Sequence, residues 1–470
     1  MNRTLIKNAD ILTMDAGLGE LRADVLIEGD RIAAIGADLP VRDAEIIDAT
    51  GMILMPGMID GHRHVWEIID MGRLVKSRPS EYARYYQQWK MRTIVCMTPE
   101  DNYLAELIGG LQAIDSGVTT VFDFAHGQPT EACAMSAAQG LKDSGIAGWF
   151  GFQLGVSSSY KAGDTVSLAK ADAERIARTT ESHWATAERL QRELFSDSAA
   201  TLQLALAPSG NAGSALEDIR SEWTRARGMG VGMLAAHIHK PERPYPAGVM
   251  GHRDSGIRDL YEAGLLGPDY QATHANRLTP DELAMLRDTG GMICATAMGE
   301  FPYVMSESKG PSVHGRSRSA GVPTSMGIDI SLALPGDYFE HVRATYWNLY
   351  LDPECREQMR ACTSEYILDF ATAYGAQALR LGDTIGSIRV GKRADLVLLS
   401  TERVGFGMAG SLADRVVTFA STADVDSVWI AGKARKRHGK MLGVDWRALK
   451  AQLVEAQQRI GRQAATIRFT

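Results

Sequence analysis

Two histidines one residue apart, His62 and His64, close the apolar run Met55-Pro56-Gly57-Met58-Ile59-Asp60-Gly61. If Ile53 to Gly61 is a buried strand, the alternation of its side chains puts both imidazoles on one side at the C-terminal end, within reach of a single metal ion. Further along, His237-Ile238-His239-Lys240-Pro241-Glu242, His274 and Asp329 each follow an apolar run of strand length. All are residue types that bind a metal or activate water on one. Each has a bland reading when taken alone: the His62 and His64 pair as solvated loop residues, His274 as a satisfied core histidine, Asp329 as a helix cap. Their common position at the C-terminal ends of strands argues for one site.

The elements that must carry these residues alternate between β and α. Strands are predicted over 118–124, 147–152, 202–207, 231–237, 270–274, 292–296 and 323–329, which with the His62 strand makes eight. Helical stretches such as Ala171 to Phe195 and Pro280 to Asp288 separate them, so the pattern predicts an α/β fold, a (β/α)8 TIM-type barrel with its chemistry at the C-terminal face. Short strands at Leu5-Ile6-Lys7, Ile11-Leu12-Thr13 and Val25 to Ile35, the last with a hairpin at Glu28-Gly29-Asp30, find their counterparts in Ala394 to Leu399 and Ser427 to Lys433. The expected organisation is a small β-sandwich built from both chain ends (1–56 and 385–445), a barrel inserted over 57–384, and a C-terminal helix over 446–470 capped by Asp445. After His64, Pro79-Ser80-Glu81 opens a helix whose Tyr82, Tyr86 and Trp89 share a face. That face suits either a lid over a substrate or ordinary core packing.

Composition narrows the partners. With 470 residues, 45% hydrophobic and 23% charged, the chain is long enough for a large core and reads as an ordinary globular protein. A net charge of -7 offers no basic field for nucleic acid or anionic lipid, which points to a small-molecule partner. The five cysteines show neither a zinc-knuckle spacing nor a disulfide framework. No stretch has the length of a membrane span or the pattern of a secretion signal, so a cytoplasmic location is expected.

With these residues in view, the chain resembles the amidohydrolase superfamily, in the branch that holds triazine hydrolases and the guanine, 8-oxoguanine and S-adenosylhomocysteine deaminases. The resemblance covers nearly the whole chain, including Gly386 to Val397, similar to the segment where such proteins return from barrel to sandwich. It implies that His62 and His64 are first-strand metal ligands, His239 the fifth-strand ligand, and Glu242 the carboxylate that shuttles protons. It implies equally that His274 is the sixth-strand histidine contacting substrate and Asp329 the eighth-strand ligand and base. His237 competes for the fifth-strand role, since it points to the same side of the strand, but only His239 has a glutamate at the matching offset.

Three neutral imidazoles and a carboxylate suit zinc, with iron or manganese as alternatives, and leave a position for water whose pKa falls to about 7. Ala207-Pro208-Ser209-Gly210 places no lysine after the fourth strand, so one divalent ion is expected rather than a carboxylated-lysine pair. Two positions depart from the better-known deaminases. Glu67 stands where many carry glutamine, and Ala297-Met298-Gly299-Glu300-Phe301-Pro302 replaces a Pro-x-Ser-Asn turn. Glu67 and Glu300, with Trp66, His126 and His237, are the candidate substrate-binding residues. Two extra acids near the mouth favour a donor-rich or cationic substrate, with a solvated rim as the alternative.

The expected activity is hydrolytic deamination of an amino-substituted nitrogen heterocycle by a homodimer or larger homo-oligomer. Hydrolysis of a cyclic amide, or of a halide or alkylamine on an aromatic ring, is the runner-up. A non-catalytic assembly protein is the third reading.

Overall fold

Eight β positions, rich in small and β-branched residues, lie side by side and parallel around a closed barrel. The computed structural model describes residues 3–40, 42–72, 82–175, 179–208, 215–238, 256–299, 312–351 and 362–470. In order the barrel strands are Met58–His64, Val118–Ala125, Ala147–Gln153, Leu202–Ala207, Leu234–Ile238, Tyr270–His274 and Met292–Ala295, then an eighth in two pieces, Thr324–Met326 and Asp329–Ile330. The first piece pairs with the seventh strand and the second with the first strand, where Asp329 lies opposite Arg63 and Ile330 opposite His64.

Period-two alternation sorts the side chains. Phe122 and Phe124, Ala205 and Ala207, Met233 and Ala235 pack with Ile59 and Met292 in one inner cluster, floored by Ala376 to Ile385. Their neighbours Val121, Leu204, Leu206, Leu234 and Ala236 join the larger core towards the helices.

Two strands expected to be continuous are broken, each at a glycine with no room for a side chain. A Cβ on Gly57 would lie 2.1 Å from Thr119 Oγ1, and here the chain leaves the terminal sheet, as Ile53–Pro56, to enter the barrel. A Cβ on Gly327 would lie 2.6 Å from the carbonyl oxygen of His62, which separates the two pieces of the eighth strand. The fifth strand begins at Leu234 rather than Val231, after Gly232 packs flat against Trp149.

The terminal domain is a single nine-stranded sheet drawn from both chain ends. Ile53–Pro56 sits between Arg3–Leu12 and Leu396–Leu399, and Arg31–Gly36 forms one edge. The expected pair of short strands at the N-terminus is one long strand, Arg3–Leu12, while the hairpin at Glu28 to Arg31 forms as expected. The sheet curls until Ile32 and Ala394 exchange backbone contacts with Lys392 and Asp30, enclosing Ile6, Ile11, Val25, Leu54, Leu398 and Trp429.

Helices start where the sequence places their caps. Thr98 and Thr279 form capping boxes for Pro99–Asp115 and Pro280–Thr289, and Asp445 caps Trp446–Ala464 by accepting from the Ala448 amide at 3.0 Å. Each cap contributes about 1 kcal/mol. Leu453, Ala456 and Ile460 of that last helix are buried. Among the described residues, no helix is long and apolar enough to cross a membrane.

Two buried histidines away from the strand-end cluster should make the fold acid-sensitive. Burial pushes His314 down to about 3 and His341 down to about 4, against an ordinary value of about 6.5. The unfolded chain takes up protons that the folded one refuses, so stability is full above pH ~6.5 and falls below it by about 1.4 kcal/mol per pH unit for each group. Urea unfolding at pH 7 and at pH 5 should show this loss, and His314→Gln should flatten the dependence. A slope unchanged by that variant would place the acid sensitivity elsewhere.

Candidate metal centre

The strand ends bring four potential ligands together. Ligand atoms of His62, His64, His237 and Asp329 all lie within 4.8 Å of one another. One carboxylate oxygen of Asp329 is 3.4 Å from His62 Nε2 and 3.3 Å from His64 Nε2. The His237 ring centroid is 4.9 Å from that of His62 and 5.4 Å from that of His64, and His274 stacks against His237 at 5.3 Å. Of the residues expected at the site, the structure therefore gathers His62, His64, His237, His274 and Asp329. His239, Glu242 and Glu300 lie outside the described residues.

The donor chemistry fits a divalent ion. Burial holds the His62 ring neutral, down at about 3, so its lone pair is available to a metal. For Asp329 burial acts the other way, but the adjoining His274, His62 and His64 outweigh it and hold the carboxyl well below its ordinary range, as a carboxylate. His64 Nδ1 donates to the carbonyl of Phe124 at 2.9 Å, which fixes its tautomer and leaves Nε2 facing Asp329. His274 Nδ1 pairs with Thr296 Oγ1 at 3.1 Å.

Backbone geometry helps to aim these groups. His274 and Asp329 have φ of 71° and 75°, a region that side-chain-bearing residues rarely occupy. His274 ends the sixth strand and Asp329 opens the second piece of the eighth, so each positive φ falls where the regular strand conformation is interrupted.

One wall of the site is aromatic and closed. The 3-10 turn Val65–Asp70 follows directly on His64 and carries Trp66 and Glu67, both fully buried. Trp66 Nε1 donates to His126 Nδ1 at 2.9 Å, so His126 carries its own proton on Nε2, 3.9 Å from Glu67 Oε1. The His126 ring stacks on His64 at 3.8 Å. Glu67 is thus not a solvated rim acid. It lies inside, beside an imidazole N–H, because the turn folds back under the Tyr82–Ile94 helix. There Trp89 stacks on Trp66 at 5.5 Å and donates to Asp70 Oδ2 at 2.8 Å.

Sequence reading missed the groups behind the first strand. Asp123 Oδ1 accepts the amide of Val65 at 3.1 Å, and its carboxyl lies within hydrogen-bonding reach of Glu106 on the Pro99–Asp115 helix. Both are fully buried, and burial pushes both carboxyls upward, that of Glu106 further because Asp123 stands beside it. Asp60 and Arg63, also fully buried, form an ion pair at 2.7 Å beside His62. For Asp60, Arg63 and Asp123 the available signal was a charged residue within a barrel strand, whereas Glu106 lies on a helix and gave none of that kind.

Comparison with known proteins agrees with this fold. The chain is 25% identical over 450 residues to a 5'-deoxyadenosine deaminase of Methanobrevibacter smithii, covering 94% of this chain and 95% of that protein. It is 26% identical over 462 residues to a 5-methylthioadenosine/S-adenosylhomocysteine deaminase of Desulforudis audaxviator, covering 97% and 99%. Among solved structures, an adenosine deaminase from Xanthomonas campestris with bound zinc superimposes with a TM-score of 0.79 at 19% identity, covering 98% of both chains. An atrazine chlorohydrolase from Arthrobacter aurescens TC1 complexed with zinc gives 0.78 at 18% identity, covering 97% of this chain and 100% of the other. The profile of the amidohydrolase family matches residues 53–435, from the last strand before the barrel to the returning strands of the terminal sheet, and the chain belongs to that family.

Proposed function

We propose that this protein is a metal-dependent hydrolase that deaminates an amino-substituted nitrogen heterocycle, with an aminopurine as the favoured substrate. The observation that carries the reading is the convergence of His62, His64, His237 and Asp329 at one end of the barrel, with His274 against them. The purine preference is supported by relatives named as deaminases of 5'-deoxyadenosine and of 5-methylthioadenosine/S-adenosylhomocysteine.

A single zinc ion is the proposed occupant, held by His62, His64, Asp329 and one imidazole of the fifth strand. Such an ion supplies Lewis acidity and lowers the pKa of water in its coordination sphere to about 7. The described geometry favours His237 as that imidazole, whereas the assignment to His239 rests on the offset of Glu242. Asp329, held as a carboxylate, is the proposed acceptor of a proton from the attacking water. Glu242 is the proposed donor to the ring nitrogen, and His274 the proposed hydrogen-bond partner of the substrate. Trp66, His126 and Glu67 form the wall nearest His64, where an imidazole N–H beside a carboxylate offers a heterocycle one donor and one acceptor. Among the described residues, Cys96, Cys133, Cys294 and Cys362 form no disulfide, which supports the proposed cytoplasmic location. A homodimer or larger assembly is proposed with it.

A panel of heterocycles separates the readings. Zinc-loaded protein should release ammonia from adenosine-type substrates faster than from aminopyrimidines or aminotriazines. Chloride or alkylamine release from triazines without ammonia would favour the dehalogenating alternative. No turnover of any member by zinc-replete protein would favour a non-catalytic role.

A further inference from the structure

Asp60 stands two residues before His62 on the first barrel strand, with its carboxylate fully buried. Its Oδ2 accepts from Arg63 Nε at 2.7 Å. Its Oδ1 accepts the amide of Ile328 at 3.1 Å and, more weakly, that of His62 at 3.4 Å. Ile328 immediately precedes Asp329, whose φ of 75° is a strained conformation for a residue with a side chain. The strand pairing that holds Asp329 is short, since the eighth strand meets the first only through Asp329 opposite Arg63 and Ile330 opposite His64. One carboxylate thus ties together the backbones beside two metal-facing side chains, from the two strands that close the barrel. Arg63, buried without solvent, pairs its positive charge with Asp60, and its far end lies 3.5 Å from Gln112 Oε1.

A second link crosses the same seam without touching either ligand segment. Tyr338 Oη lies 2.6 Å from the carbonyl oxygen of Ile59 and 2.9 Å from that of Met326. It reinforces closure, but it does not bind the amide ahead of Asp329.

We propose that Asp60 is a positioning residue for the metal centre, fixing the separation and orientation of His62 and Asp329 through the amides of His62 and Ile328. This inference rests on the metal-site reading above. Strain at Asp329 persists only where its surroundings over-determine it, and among the described residues the carboxylate of Asp60 is a polar side chain that binds the amide just before it. Loss of such a supporting contact typically lowers metal affinity about 10–100-fold.

The test is zinc affinity of metal-free protein, measured by competition with a chromophoric chelator, together with the thermal midpoint of each metal-free variant. Asp60→Ala and Tyr338→Phe should both lower the midpoint, because both remove a link across the seam. Only Asp60→Ala should weaken zinc binding by about 10–100-fold, with Tyr338→Phe staying within about threefold of wild type. Asp60→Asn, which keeps an oxygen for the two amides, should recover part of the lost affinity and carries the comparison with Tyr338→Phe if the alanine variant does not fold. Equal affinity in wild type and the folded Asp60 variants, or equal weakening in Tyr338→Phe, overturns the positioning role. Wild-type protein that binds no zinc overturns the metal-site reading itself, and with it this inference.

Discussion

Asp329→Ala is expected to leave the purified protein nearly free of metal and without measurable turnover. Asp329 is the sole carboxylate in the described cluster, with one oxygen 3.4 and 3.3 Å from two imidazole nitrogens, and it is also the group proposed to take the proton from water. Removing it deletes a ligand and a base together, so the loss should exceed the ~10²–10⁴-fold typical of a single acid–base group. Elemental analysis after overnight dialysis into metal-free buffer is the measurement, with His62→Ala as a companion expected to behave alike.

The fifth strand provides the sharper comparison. His237→Ala should empty the site if the described geometry names the ligand, since the His237 ring sits 4.9 Å from His62 and turns inward in register with Met233 and Ala235. His239→Ala should then retain metal. The reverse result would return the ligand role to His239, with Glu242 at its family offset. Full metal content in Asp329→Ala would show that the ion is held by other groups.

Glu242→Gln is expected to separate metal binding from turnover. Glutamine preserves the shape and hydrogen bonding of the side chain but removes the transferable proton. The proposed ligand set is complete without it, so metal content should match wild type while kcat falls by ~10²–10⁴-fold. Because the step removed is the proposed proton delivery to the ring nitrogen, KM for an aminopurine should change little. A Glu242→Gln protein that has lost its metal, or that turns over at the wild-type rate, would move the proton-transfer role to another group. His274, stacked on His237, is the first to examine by the same pair of measurements.

The amino-acid sequence by itself marked the barrel strands and the candidate donors at their ends. Alternation over Met58–His64 places imidazoles at a strand end, and apolar runs bounded by turn residues mark all eight barrel positions, because period-two burial is a local property of the chain. Capping residues such as Thr98, Thr279 and Asp445 likewise announce their helices, since a cap needs only a side-chain oxygen three residues before an amide.

What the sequence left undetermined depends on which side chains meet across the closed sheet. Periodicity gives the face on which His237 lies but not its depth in the barrel, and depth decides whether its ring reaches His62. Spacing from His64 placed Glu67 near the mouth. Only the packing of Trp66 on Trp89 shows that the carboxylate is buried beside His126. The breaks at Gly57 and Gly327 arise because another strand passes where a Cβ would stand. The hold of Asp60 on the amide before Asp329 joins residues far apart in sequence, and it exists because the first and eighth strands become neighbours when the barrel closes.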